Sequence, residues 1–210
     1  MSGPNPAAPP LTLNRLSVYL RCLRQLEREG VARVSSRQLA DRFHLSSAQI
    51  RKDLAHFGEF GVRGVGYEVS SLAGRLHSLL DLDQRHRLVI VGMGNLGSAL
   101  ARYFGFNDDS FEVVAGVDSS PGRVGERVAS VLIEPFSELV RVVRDSAAEI
   151  GVITVPAEAA EAAYQGLLEA GVRAILNFAP VQLQERPGVR LKNVDMRIHL
   201  EEMSYFLGLP

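Results

Sequence analysis

Between Val89 and Phe104 the sequence reads VIVGMGNLGSALARYF, an apolar stretch that runs into Gly92, Gly94 and Gly97 and on into a helical pattern. Asp118 stands 21 residues after Gly97, at the end of the next apolar run. These residue types at this spacing suit the cradling of a dinucleotide. Gly92 makes a tight turn, Gly94 lets backbone N–H groups approach a pyrophosphate, and Gly97 lets helix and strand pack closely. Asn95 and Leu96 lie between the second and third glycines, at the start of a helix whose positive end faces the phosphates. Asp118 accepts hydrogen bonds from both hydroxyls of an adenosine ribose and repels a 2′-phosphate, which favours NAD(H) over NADP(H). Two readings stand beside this one: a tight turn with no ligand, and Arg123 folded back over a phosphate.

A second set of residues suits a different partner. Ser35 with Gln38 and Ser46 with Gln49 each form Ser-x-x-Gln, the capping box that starts a helix. They predict a short helix near 36–43, a tight turn through His44 and Leu45, and a second helix near 47–57. A helix-turn-helix lays its second helix in the major groove of DNA and presents N-terminal residues to base edges. Here those residues are Ser47, Gln49, Arg51 and Lys52. Arg51 suits bidentate bonding to guanine O6 and N7, and Lys52 suits guanine or phosphate. The glycine-punctuated run GEFGVRGVGYEV then predicts a β-hairpin that offers Arg63 to a narrow minor groove. A winged helix that binds protein instead, with solvated basic residues, is the alternative. Charge divides along the same line. Residues 1–85 hold 12 Arg and Lys against 8 Asp and Glu, whereas residues 86–210 hold 11 against 16. Any polyanion is therefore met by the front half.

The rest of the pattern supplies the frame. A chain of 210 residues suits two small domains. Residues 1–10 carry four of the ten prolines and read as a disordered tail. Leu13, Leu16, Leu20, Leu23 and Leu26 recur at helical spacing in a first helix that ends on Gly30. After the hairpin, Ser70 or Ser71 caps a helix carrying Leu72, Leu76 and Leu79, and 81–86 is a linker. Strands are expected at 87–92, 111–117, 150–155, 172–177 and 189–194, with helices at 95–104, 137–145 and 157–170. That alternation makes a parallel sheet covered by helices. Thr154 and Pro156 close one strand and Asn177 the next, where open parallel sheets bind ligands. A last amphipathic helix carries Leu200, Met203, Phe206 and Leu207. The fold class is thus α/β, with a winged helix-turn-helix over 11–80, a Rossmann-like parallel-sheet domain over 87–196 and a C-terminal helix over 197–210.

Several function classes drop out. No apolar run reaches the roughly 18 residues of a membrane span, and MSGPNPAAPP lacks the features of a signal peptide. A cytoplasmic protein with no membrane partner is expected. Cys22, the single cysteine, cannot form an internal disulfide and lies beside the first helix's apolar stripe as a quiet core thiol. No run has metal-ligand spacing, so no metal is expected. A dehydrogenase needs further chain to hold substrate against a nicotinamide and to supply a proton donor. Little remains after Val194, and His44, His56, His77 and His86 all lie in the front half or linker. A non-enzyme that binds a nucleotide is the reading. A small NAD-dependent reductase and a CoA-binding protein, each with a regulatory winged-helix head, are its alternatives.

SSAQIRKDLAHFGEFGVRGVGYEV, VGMGNLGSALARYFGF and AILNFAPV resemble the Rex family of bacterial redox-sensing transcriptional repressors, over about residues 11–207. The resemblance implies a homodimer that binds a palindromic operator in double-stranded DNA and is released by NADH, with NAD+ competing. It also implies a C-terminal helix exchanged between subunits. It places Arg51, Lys52 and Arg63 on DNA, Tyr103 at the nicotinamide end, Asp195 on an acid that reaches that end across the dimer, and Arg21 on a basic residue that pairs with the acid. The sequence departs from the family pattern just after this acid, where Met196 is followed by Arg197.

Overall fold

The computed structural model describes residues 10–58, 60, 65–103 and 106–208, in a chain that divides into two compact units, Met1–Gln84 and Arg85–Pro210. In the first unit, α1 (Pro10–Arg28) turns Leu16, Leu20, Leu23 and Leu26 inward. α2 (Ser36–Phe43) adds Leu39, α3 (Ser47–Phe57) adds Ile50 and Leu54, and α4 (Val69–Leu79) adds Leu72 and Leu76 to the same core. Cys22 is buried there, and burial pushes its thiol pKa up, as suits a packing residue.

Helix starts follow local hydrogen bonding, with two departures from expectation. At α2 the capping box forms in full between Ser35 and Gln38. At α3 only half of it forms: Ser46 Oγ accepts from the Gln49 N–H, while the Gln49 side chain turns to Asp53. α4 is capped by neither Ser70 nor Ser71. The Glu68 carboxylate accepts from the Ser71 N–H at 2.7 Å, so the helix opens at Val69. Of the hairpin expected within 58–69, residues 59 and 61–64 lie outside the described residues, and the described arm pairs at longer range. Strand β2 (Tyr67–Glu68) lies antiparallel to β1 (Arg33–Val34), with Val34 opposite Tyr67. Gly66 permits this crossing, because its φ is +84° and an added Cβ would come 2.7 Å from the Val34 carbonyl oxygen. Arg63 and its neighbours at 61–64 lie outside the described residues.

The second unit holds, among its described residues, a seven-stranded sheet in the order β5-β6-β4-β3-β7-β8-β9. Its strands are β3 (His86–Val91), β4 (Phe111–Asp118), β5 (Arg127–Val128), β6 (Val131–Pro135), β7 (Ile150–Ile153), β8 (Ala174–Asn177) and β9 (Arg190–Asn193). Every pairing is parallel except β5 with β6. That edge hairpin is absent from the sequence reading. Its turn residue Ala129 adopts φ 52°, a left-handed conformation that glycine or asparagine ordinarily signals. Alternate residues of β3 enter two separate cores, Val89 and Val91 one, Leu88 and Ile90 the other. Helices α5 (Asn95–Arg102), α6 (Leu139–Ser146), α7 (Ala157–Glu169) and α8 (Met196–Leu207) complete the unit. The chain leaves β3 for β4 and β6 on one side, then returns to β7, β8 and β9 on the other. The crevice between β3 and β7 is therefore the topological switch point, where ligands of open α/β sheets bind.

Candidate functional site

The loop from β3 into α5 is shaped by contacts that exclude side chains. Gly92 has φ +97°, and a Cβ there would sit 2.8 Å from Val155 Cγ1. Gly97 is tighter still, since its Cβ would fall 2.0 Å from the Gly92 carbonyl oxygen. At Gly94, the N-cap of α5, an added Cβ would meet nothing within 4 Å. Two glycines thus press the helix onto the strand, and the third leaves the helix N-terminus uncovered. A helix N-terminus with no side-chain cap and open space beside it suits an anion such as a pyrophosphate. Asn95 and Leu96 are exposed on the first turn of α5.

Met93, between the glycines, is fully buried and held at both ends. Its N–H donates to Asp118 Oδ2 at 2.6 Å. Its carbonyl accepts from Ser98 Oγ at 2.9 Å and from Arg123 Nη2 at 2.6 Å. Asp118 Oδ1 accepts from the Ser120 N–H at 2.8 Å, so each carboxylate oxygen keeps a lone pair for a ribose hydroxyl. Arg123 lines a pocket with Gly94, Asn95 and Ser98 at the start of α5. Its guanidinium is committed to Met93, to Ser98 Oγ at 2.6 Å and to Glu126. Thr154 Oγ1 donates to the Gly92 carbonyl at 2.6 Å, clasping the glycine turn from the end of β7. Thr154 and Pro156 join Gly92, Gly94, Asp118 and Phe136 around a cleft of about 250 Å³. Tyr103 caps the far end of α5, about 14 Å along the helix from Gly94. It is 57% exposed, with its ring edge-on to Phe106.

Asn177, expected at the cofactor, is wholly buried, with Nδ2 donating to the Val181 carbonyl and to Asn193 Oδ1, each at 2.8 Å. Its Oδ1 accepts from the Ala179 N–H at 3.0 Å. With its donors and acceptor engaged inside the protein, it ties the ends of β8 and β9 to the 179–183 loop. Asp195 is half-buried and caps α8, its Oδ1 accepting from the Arg197 N–H at 2.9 Å. α8 itself has no buried residue, and Met196, Ile198, Leu200, Met203, Tyr205, Phe206 and Leu207 are 52–88% exposed.

In the first unit, Arg51 and Lys52 are exposed on α3, and Arg51 Nη1 donates to Ser36 Oγ at 3.0 Å. Ser47 is half-buried at the start of the helix, and Arg21 is exposed on α1. Gln49 is half-buried, and its Nε2 donates to Asp53 Oδ1 at 2.7 Å. Asp53, 3% exposed, also receives Arg15 Nε at 2.6 Å, Arg15 Nη2 at 2.8 Å and Tyr19 Oη at 2.9 Å. The Arg15 bonds hold the Asp53 carboxyl below the usual carboxylate range, against the opposing effect of burial. Burial, and then the bond to Asp53, pushes Tyr19 up to about 12. Sequence reasoning passed over Asp53, Arg15 and Tyr19. One signal was present, because Asp53 falls on the same inner face as Ile50 and Leu54, where a charge demands a partner.

The family model described as "Putative DNA-binding protein N-terminus" matches residues 8–55, and the one described as "CoA binding domain" matches residues 83–181. The redox-sensing transcriptional repressor Rex of Syntrophomonas wolfei is 48% identical over 201 residues, covering 96% of each chain. The protein of the same name from Chloroflexus aggregans is 43% identical, covering 95% of this chain and 94% of its own. A solved structure of RSP in complex with β-NAD+ and operator DNA matches with a TM-score of 0.91 at 33% identity, covering 95% of this chain and 92% of that one. RSP in complex with β-NADH matches with a TM-score of 0.86 at 31% identity, covering 96% and 94%.

Two outcomes follow from this geometry. Asn177→Ala frees an N–H and a carbonyl in a buried loop and is expected to cost about 2 kcal/mol. Urea denaturation measures that loss, and nucleotide titration should show the ratio of NADH to NAD+ affinity unchanged. Asp53 has its folded pKa below the unfolded one, so its bridge contributes fully above about pH 4 and is lost as pH falls through the folded value. Tyr19 has the opposite sign, contributing below about pH 10 and losing that contribution as pH rises through its raised value. Stability followed from acid to neutral pH should therefore decline less steeply toward acid in Asp53→Asn than in the wild type.

Proposed function

The chain belongs to the Rex family of redox-sensing transcriptional repressors, and on that premise we propose that it binds operator DNA as a homodimer through α3 and leaves it when NADH occupies the glycine loop. The observation that carries the reading is the match, along 95% of the chain, to a repressor solved with NAD+ and operator DNA. It is supported by the uncovered N-terminus of α5 beside Asp118 and by the exposed Arg51 and Lys52 on α3. Arg63 is assigned to the same DNA surface by the resemblance. The match to a CoA-binding model covers the same loop. CoA carries a 3′-phosphate on its ribose, and the Asp118 carboxylate disfavours a phosphate at that end, so NAD(H) is the preferred ligand. The chain is read as a sensor, not a catalyst, acting in the cytoplasm. No helix among the described residues is long and apolar enough to cross a membrane.

Gly92, Gly94, Gly97 and Asp118 are expected to meet NADH and NAD+ alike, since the two share adenosine and pyrophosphate. Discrimination then falls to residues at the ring, where the two forms differ by one positive charge. Burying that charge unpaired costs on the order of several kcal/mol. Tyr103 supplies a largely apolar surface there, and Asp195, engaged by Arg21 across the dimer, does not neutralise the charge. Dimerisation is supported by α8, whose seven large apolar side chains find no cover within their own unit. A second copy of the same helix-bearing unit provides it.

Fluorescence anisotropy on a palindromic duplex tests the switch. NADH should release the protein at far lower concentration than NAD+, and CoA should neither release it nor displace NADH. A hundredfold drop in operator affinity corresponds to about 2.7 kcal/mol of coupling. Asp118→Ala should weaken both nucleotides together. Arg21→Ala and Asp195→Ala should keep DNA binding and blunt release, and full NADH sensitivity in both would sink the coupling role given to them. Removal of residues 196–210 should convert a dimer to a monomer in sedimentation velocity.

A further inference from the structure

The attachment of α3 to its own unit differs in kind from that of its neighbours. Of its eleven residues, Ile50, Asp53 and Leu54 are buried. Ile50 and Leu54 stand one turn apart and, with the partly buried Phe57, give one apolar stripe. Such contact is non-directional, so it holds the helix down without fixing its roll. Successive side chains point about 100° apart around a helix, and a roll of a few tens of degrees would re-aim Arg51 and Lys52 by more than a base-edge hydrogen bond tolerates.

Directional bonds to Asp53 remove that freedom. Its carboxylate takes Arg15 Nε at 2.6 Å, Arg15 Nη2 at 2.8 Å, Tyr19 Oη at 2.9 Å and Gln49 Nε2 at 2.7 Å. Arg15 and Tyr19 both belong to α1 and lie one turn apart on it, so the acid is gripped from two levels of one neighbouring helix. Arg15 is steadied in turn by Thr12 Oγ1 at 3.1 Å. The grip also settles an electrostatic conflict. A carboxylate on a helix that faces phosphates would repel them, and the fork of Arg15 cancels its charge within the protein.

We propose that Asp53 is a positioning residue for operator reading: through Arg15 and Tyr19 it fixes the roll of α3 against α1, and Gln49 serves this bridge and not a base. The proposal rests on the reading of α3 as the helix that meets DNA.

The probe is the duplex that the wild-type chain enriches from a randomised library, measured beside a scrambled duplex of equal length at several salt concentrations. The full chain carries Tyr19→Phe, Gln49→Ala or Asp53→Asn. Affinity for the enriched duplex should fall about threefold for Tyr19→Phe, which lacks one hydroxyl, and about tenfold for Asp53→Asn. Affinity for the scrambled duplex, its salt slope and NADH affinity should stay at wild-type values, because phosphate contacts do not depend on fine aim. All three variants should relax base preference at several positions together. Loss of preference at a single base pair in Gln49→Ala would show a direct reader and overturn its place in the bridge. Equal loss on both duplexes, in step with the folded fraction from circular dichroism, would show a role in stability alone. A wild type that fails to separate the two duplexes would sink the functional reading itself, whereas wild-type discrimination with unchanged variants would sink only the role of Asp53. Should Asp53→Asn not fold, Tyr19→Phe carries the test.

Discussion

The second unit depends on how closely α5 approaches the end of β3. A Cβ on Gly97 would stand 2.0 Å from the Gly92 carbonyl oxygen, so the helix can lie against the strand only while that position has no side chain. From this contact follow the uncovered N-terminus at Gly94, the seating of Met93 in the core and the reach of Thr154 to the Gly92 carbonyl. An anion site built this way uses backbone groups already fixed by the fold, so little further ordering is needed when a ligand arrives.

Both working surfaces share a construction in which exposed groups are aimed by buried polar ones. In the second unit, Asp118 and Arg123 hold the two ends of Met93 beside the exposed Gly94, Asn95 and Leu96. In the first, Asp53 gathers Arg15, Tyr19 and Gln49, while Arg51 and Lys52 stand exposed on the same helix. Apolar burial supplies most of the driving force for packing, but it has no direction. Buried hydrogen-bonded charges are costly unless fully partnered, and full partnering is what makes them specify one arrangement. Among the described residues no buried side-chain nitrogen or oxygen lacks a partner.

α8 is the counterpart of these satisfied interiors. Its N-terminus is capped by Asp195, yet none of its residues is buried. A helix of this length owes its stability in water mainly to packing of an apolar face. The exposed apolar side chains of α8 and the Asp195 cap at its start are thus features of one element, and the proposed dimer and the proposed role of Asp195 stand or fall together.

The sequence by itself determined the alternation of strands and helices, the Gly92-Gly94-Gly97 loop with Asp118 in register, and the helix-turn-helix with Arg51 and Lys52 exposed. These features are written in local spacing, and local spacing sets backbone conformation and face. Tertiary structure decided what local spacing cannot hold. Gln49 reads locally as half of a capping box or as a base reader, but Asp53 draws its side chain inward. Asn177 reads as a strand-end ligand, but the 179–183 loop and Asn193 consume its hydrogen bonds. Arg123 is legible only as a rival phosphate contact, and the Met93 carbonyl and Ser98 Oγ give its guanidinium partners that spacing does not announce. Tyr67 and Glu68 read as one arm of a hairpin, and the folded chain adds a pairing with Val34 and Arg33 that local spacing does not announce. In each case a backbone or side-chain polar group with several possible partners was assigned by a residue 2 to 35 positions away, and only the folded chain brings those partners within hydrogen-bonding distance.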